Sequence, residues 1–185
     1  MKRLAGYLGN EDGLAAAGNL LSFSIACNQP FYPLTVYLAT GSFIGASWWT
    51  LLSTPAFLLV PAVARRHSRL GRALLVVTGT GNTLLCLFLL GEDSGVSLFF
   101  LPCSLIAALL FRDTERLIQL PLLGGALAAF IGLHHHVPAR TSLVPPAAYP
   151  ALWALHAGSV AMLIAFVGLL WSNRGSGSGK ETGTI

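Results

Sequence analysis

Residues 43–90 read FIGASWWTLLSTPAFLLVPAVARRHSRLGRALLVVTGTGNTLLCLFLL. An apolar run from Phe43 to Ala64 is followed by Arg65, Arg66, His67, Ser68, Arg69, Leu70, Gly71 and Arg72, and then by a second apolar run from Ala73 to Leu90. A helix needs about 20 apolar residues to cross the hydrocarbon core of a bilayer. Both runs are near that length, and the four arginines lie between them. This is the pattern of two transmembrane helices joined by a cationic turn. The runs are apolar all round rather than alternating, which excludes the strands of a membrane barrel.

Working outward, four more stretches repeat the pattern: Ala15–Ala39, Val96–Phe111, Leu117–Leu133 and Tyr149–Trp171. The composition agrees. Of 185 residues, 54% are hydrophobic and 10% charged, against about 25% charged in soluble domains. Lys2 and Arg3 precede the first stretch, Arg112 and Arg116 lie between the fourth and fifth, and Arg174 and Lys180 follow the sixth. With the four arginines above, these make ten of the eleven Lys and Arg, and six spans would put them all on one side. The remaining one, Arg140, lies between the fifth and sixth stretches. The positive-inside rule assigns the basic side to the cytoplasm. The expected fold is therefore an all-α, polytopic bundle of six transmembrane helices over residues 1–174, both termini cytoplasmic.

The lead MKRLAGYLGNEDGL is interrupted at Gly9, Asn10, Glu11 and Asp12, so it lacks the continuous apolar core of a signal peptide. It reads as a short interfacial segment. Residues 175–185 form a Gly/Ser-rich tail by composition and stand outside the expected fold. Cys27, Cys86 and Cys103 lie singly in apolar surroundings, which excludes a disulfide framework. The net charge of +4 comes without a basic stripe interleaved with aromatics, and nucleic acid is not an expected partner.

Polar residues at depth mark the candidate site. The first stretch contains Asn28, Gln29, Pro30, Tyr32, Pro33 and Tyr37. Proline removes a backbone donor and kinks a helix, and the kink would open a cavity lined by the amides and tyrosines. The alternative is that these amides only bond neighbouring helices. Trp49 follows Trp48 near the outer end of the second stretch, as interfacial tryptophans do; an aromatic box for a cation is the functional alternative. Asn82 lies mid-way along the third stretch. Gly41 and Gly45, with Gly79, Gly81, Gly124, Gly125 and Gly158, suggest close helix approach. No Asp, Glu, Lys or Arg is placed mid-span, which weighs against a proton-coupled carrier, and no catalytic set of residues is present.

His134, His135 and His136 end the fifth stretch, and His156 lies about two turns into the sixth. Neutral imidazole is a common ligand for transition metals and haem iron. An outward-facing metal or haem site built from these histidines, with Glu92 and Asp93 on the same side, is thus an alternative. The competing reading is a polar helix end plus one interhelical histidine.

The segments Asn82–Thr83–Leu84–Leu85, Gly91–Glu92–Asp93–Ser94–Gly95–Val96, Leu98–Phe99–Phe100–Leu101–Pro102 and Leu109–Leu110–Phe111–Arg112–Asp113–Thr114–Glu115–Arg116 carry a resemblance. They resemble the six-helix membrane input domains found N-terminal to bacterial sensor histidine kinases and nucleotide cyclases. The resemblance implies a sensor without its own catalysis or cofactor, in which a small apolar or amphipathic ligand shifts helix packing. Relatives of this kind continue into an output domain. The glycine–serine tail is then read either as the place where that domain was removed or as the end of a free-standing relative. Asn28, Gln29, Tyr32, Trp49, Asn82 and His156 are the candidate ligand-binding residues. The lipid bilayer is the first partner, and a homo-oligomer or a signalling partner the second. A small channel or carrier and a structural subunit of a membrane complex are the remaining alternatives.

Overall fold

A computed structural model describes residues 2–133, 136–140 and 142–177. The described residues are helical with connecting turns and contain no strand. The helices are α1 (Lys2–Leu8), α2 (Gly13–Asn28), α3 (Tyr32–Thr40), α4 (Thr54–Arg66), α5 (Ser68–Leu90), α6 (Phe100–Leu110), α7 (Arg116–Leu133) and α8 (Tyr149–Gly177).

Four stretches are long and apolar enough to cross a membrane: Gly45–Arg66, Ser68–Leu90, Asp113–Leu133 and Pro146–Ser172. Val96–Leu110 is apolar but shorter. The expected first stretch is helical but broken. Pro30 and Pro33 cannot donate backbone hydrogen bonds, and the chain passes from α2 through a 3-10 turn, Gln29–Phe31, into α3. The expected fourth stretch likewise begins as a 3-10 turn, Val96–Phe99, before α6.

The expected boundary at Ala73 is corrected. Only His67, in an extended conformation, separates α4 from α5. Arg69 and Arg72 therefore belong to the first turns of α5 rather than to a loop. So tight a hairpin needs Gly71, where a Cβ would lie 2.6 Å from Ala64 Cα and 2.7 Å from Ala64 N. The other glycines behave differently from expectation. Gly41 closes α3 in the left-handed region and faces open space. Of the mid-helix group only Gly79 meets a close neighbour, with Cys103 Sγ 3.2 Å from its Cβ position. At Gly81, Gly124, Gly125 and Gly158 an added Cβ would meet nothing within 4 Å among the described residues.

α5 is central and packs against α2, α4 and α6, while α8 packs on α3 and on Val96–Phe99. Two apolar clusters form the core. One contains Val36, Leu87, Phe100 and Leu152, the other Leu21, Phe57, Leu75 and Leu110. Large apolar side chains such as Phe43, Leu117, Ile131 and Met162 point outward, as a lipid-facing surface requires.

A charged cluster gathers three separate turns at one end. The Arg72 guanidinium grips Glu115 through two bonds, 2.8 and 2.9 Å, and donates to the Leu110 carbonyl at 2.6 Å. Both side chains are 1% exposed. Asp12 caps α2, accepts from Ser68, and pairs with Arg72 at 3.3 Å and Arg112 at 2.9 Å. The lead, the α4–α5 hairpin and the α6–α7 turn thus share one end of the bundle. α1 is strapped to the same end. The Tyr7 hydroxyl donates to the Leu58 carbonyl, and Arg65 donates to the Gly6 carbonyl while lying over the Tyr7 ring.

Candidate functional site

A cavity of about 200 Å³ lies where the two apolar clusters meet. Its walls are largely apolar and include Phe57, Leu75, Val96, Phe99 and Ile106. Asn28, Gln29, Tyr32, Asn82 and His156 all line it. Trp49 does not; it is 55% exposed on the outside of the bundle. Its segment forms a 3-10 helix, so Trp49 turns outward while Ser47 and Thr50 turn inward. Tyr37, also 51% exposed, faces outward as well.

The first polar group is centred on Gln29. Its amide nitrogen donates to the Thr50 carbonyl at 3.2 Å and to Ser53 Oγ at 2.6 Å. Its amide oxygen accepts from the Thr54 hydroxyl at 2.6 Å. Both polar atoms of the Gln29 amide therefore have partners, as buried polar atoms do. Ser53 Oγ also reaches Asn82 Oδ1 at 2.9 Å. These residues link the α2–α3 kink, the segment Gly45–Ser53 and the middle of α5.

The second group is centred on His156, which is fully buried. One ring nitrogen, Nδ1, lies 2.6 Å from the Ser94 carbonyl, and the other, Nε2, 2.8 Å from the Tyr32 hydroxyl. A carbonyl only accepts, so Nδ1 carries the proton. With the ring neutral, Nε2 then accepts from the Tyr32 hydroxyl. The ring is stacked on Tyr32, at 18° and 5.9 Å between centroids, and meets Phe99 edge-on. Gly95, at φ 75°, lets this turn press against α8; a Cβ there would meet Trp153 Cδ1 at 2.8 Å. α8 is tied in this way to both α3 and the acidic turn.

The histidine alternative is distributed differently. His134 and His135 lie outside the described residues. His136 is exposed, and His156 has both ring nitrogens in hydrogen bonds, so a metal there would have to displace one of them. No group of three His, Cys, Asp or Glu side chains is disposed to hold a metal among the described residues.

The partners that sequence reading missed are Thr50, Ser53, Thr54 and Ser94. A signal for two of them is present. Ser47, Thr50 and Ser53 recur every third residue, the period of a 3-10 helix; the Ser47 and Thr50 hydroxyls donate to the carbonyl three residues earlier, and Ser53 Oγ lies 2.9 Å from the Thr50 carbonyl. The nine-residue 3-10 run is much longer than the usual three or four.

The MASE7 family model matches residues 19–174. The chain belongs to the MASE7 family. MASE7 is a family of membrane-associated sensor domains, in agreement with the resemblance read from Asn82 onward and with the apolar helices. No curated protein and no solved structure matches the chain. The matched region of this MASE7 domain includes both polar groups, the whole cavity, and the Arg72–Glu115 pair. Asp12 and the α1 strap lie before it.

Proposed function

We propose that this MASE7 domain crosses a bacterial inner membrane six times, with both termini cytoplasmic, and binds a small molecule within the helix bundle without catalysis of its own. The supporting observation is the cavity, with the polar groups of Gln29 and Asn82 and those of Tyr32 and His156 set among apolar walls. Pockets of this make-up, with a few convergent polar groups in an apolar lining, suit small amphipathic ligands.

Signal would leave through packing. The Gln29 amide bonds directly to the 3-10 run Gly45–Ser53. A 3-10 helix rises about 2.0 Å per residue and an α-helix about 1.5 Å. Winding nine residues from one into the other would shorten the segment by about 4.5 Å. A ligand that prefers one winding shifts the balance by its difference in affinity for the two. α8 carries His156 and is the route toward a signalling partner or a second copy.

Two experiments test this reading. Single cysteines at Arg66, Arg116 and Ala139 are labelled from each face of sealed vesicles. The first two are expected to react from the cytoplasmic face and the third from the other; labelling of positions 66 and 116 from opposite faces rules the topology out. Separately, Ile106→Trp fills the cavity. Amphiphiles that raise the unfolding temperature of the wild type are expected to lose that effect in the variant, and unchanged stabilisation would place binding elsewhere.

A further inference from the structure

The donors and acceptors left over around the cavity narrow the ligand. This step rests on the reading that the cavity is the ligand site. Among the described residues, no Asp, Glu, Lys or Arg lines it. An ion placed there would lose its hydration with no opposite charge to compensate, which is prohibitive at membrane depth.

Hydrogen-bonding capacity is unevenly used. Both N–H donors of the Gln29 amide are used, on Thr50 and Ser53, and its oxygen already accepts from Thr54. The Nδ1 proton of His156 is committed to the Ser94 carbonyl, and Nε2 to Tyr32. Asn82 is half used. Its Oδ1 takes the Ser53 hydroxyl, with the Cys86 thiol 4.0 Å away. Ser53 Oγ has one proton and two acceptors at 2.9 Å, the Thr50 carbonyl and Asn82 Oδ1. The carbonyl is also served by the Gln29 amide, whereas Oδ1 otherwise has only the Cys86 thiol at 4.0 Å among the described residues, so satisfying every acceptor assigns the proton to Asn82 and turns Oδ1 toward Ser53. The Asn82 Nδ2 group then carries two N–H donors with no partner among the described residues, and Asn82 lines the cavity. Asn28, on the rim, also has an amide without a side-chain hydrogen bond among the described residues. The unspent N–H donors at the inner position are those of Asn82.

We infer that the cavity takes a neutral amphiphile whose uncharged oxygen, a carbonyl or an ether-type acceptor, receives a hydrogen bond from Asn82 Nδ2 while its hydrocarbon part lies against Phe57, Leu75 and Ile106. Asn82 is the specificity-determining residue. An alkane of equal length leaves the amide unsatisfied, and a carboxylate or ammonium meets no counter-charge.

The test uses the full chain in lipid nanodiscs and four probes of one length: 2-decanone, decane, decanoate and decylamine. Affinity is read by calorimetry and corrected for partition into the lipid. The expected order puts 2-decanone first, with decane about fivefold or more weaker, as the loss of one hydrogen bond implies, and the two ions showing no specific binding. Asn82→Leu is expected to bring 2-decanone down to the level of decane. Selectively labelled Asn82 should show a side-chain amide shift on adding 2-decanone to the wild type, a readout that survives if Asn82→Leu does not fold. Equal binding of 2-decanone and decane in the wild type, without a shift at Asn82, overturns the assignment of the donor but leaves the cavity reading intact. Tighter binding of decanoate or decylamine overturns the neutrality of the ligand. Binding of 2-decanone that Ile106→Trp leaves unchanged, or no binding of any probe to the wild type, overturns this inference together with the cavity reading beneath it.

Discussion

Replacing Glu115 with leucine removes the carboxylate that receives both arms of the Arg72 guanidinium. Each side chain of the pair is 1% exposed, so water cannot take the place of the missing partner. Removing one member of such a buried pair costs about 3–5 kcal/mol. Arg72 keeps the Leu110 carbonyl at 2.6 Å and Asp12 at 3.3 Å, which cushions the loss. The expected destabilisation is therefore near the lower bound, about 3 kcal/mol. Arg72→Met is expected to cost a similar amount, since Glu115 keeps Arg69 and the Arg112 backbone N–H, but the Leu110 carbonyl loses the guanidinium. The double variant Arg72→Met/Glu115→Leu leaves no uncompensated charge within the pair. It should also cost about 3 kcal/mol, from the Leu110, Asp12 and Arg112 groups left behind, rather than the sum of the singles. The pairwise coupling is then about 3 kcal/mol, at the upper end of measured side-chain couplings. Equilibrium unfolding in mixed micelles, followed by circular dichroism for the four proteins, measures it. Additive losses, or single losses under about 1 kcal/mol as for an exposed pair, would mean that water reaches the site and that this end of the bundle is not clamped as described.

Gly71→Ala would drive a Cβ into the Ala64 backbone, which cannot yield as a side chain can; a loss of about 3 kcal/mol is expected, the top of the overpacking range. Ala64→Gly should restore only part of it in the same unfolding assay. Burial opposes ionisation of Asp12, but the Ser68 hydrogen bond and the Arg72 charge outweigh it and hold the carboxyl below its ordinary range. Its contribution is then fully present above the unfolded carboxyl value of about 3.9 and is lost as pH falls through the lower folded value. Asp12→Asn should flatten that part of the stability–pH curve below pH 4 while leaving the shape of the curve from pH 5 to 7 as in the wild type. Tyr32→Phe strips His156 Nε2 of its donor and is expected to cost about 1–3 kcal/mol, the penalty for an unsatisfied buried group; an unchanged unfolding midpoint would show that the Tyr32–His156 contact is not formed in the folded bundle.

Much of this protein is legible without its tertiary structure, for one reason. Lipid demands long apolar helices and tolerates charge only at their ends. The apolar runs and the arginines between them therefore announce a helical membrane protein, and the order of gaps already groups the lead with the Arg65–Arg72 and Arg112–Arg116 turns. Asn28, Gln29, Tyr32, Asn82 and His156 stood out because polar side chains at depth need partners. The remainder depended on packing. Hydropathy could not tell that Arg72 is inside the bundle, because an arginine beside an apolar run looks the same whether it faces water or a buried Glu115 on another helix. Nor could it place Trp49, whose direction follows from three residues per turn in Gly45–Ser53 rather than 3.6. The meeting of Tyr32 with His156, 124 positions apart, was set by how α3, α8 and the Glu92–Ser94 turn come together, since distance along the chain carries no information about which polar groups will satisfy one another.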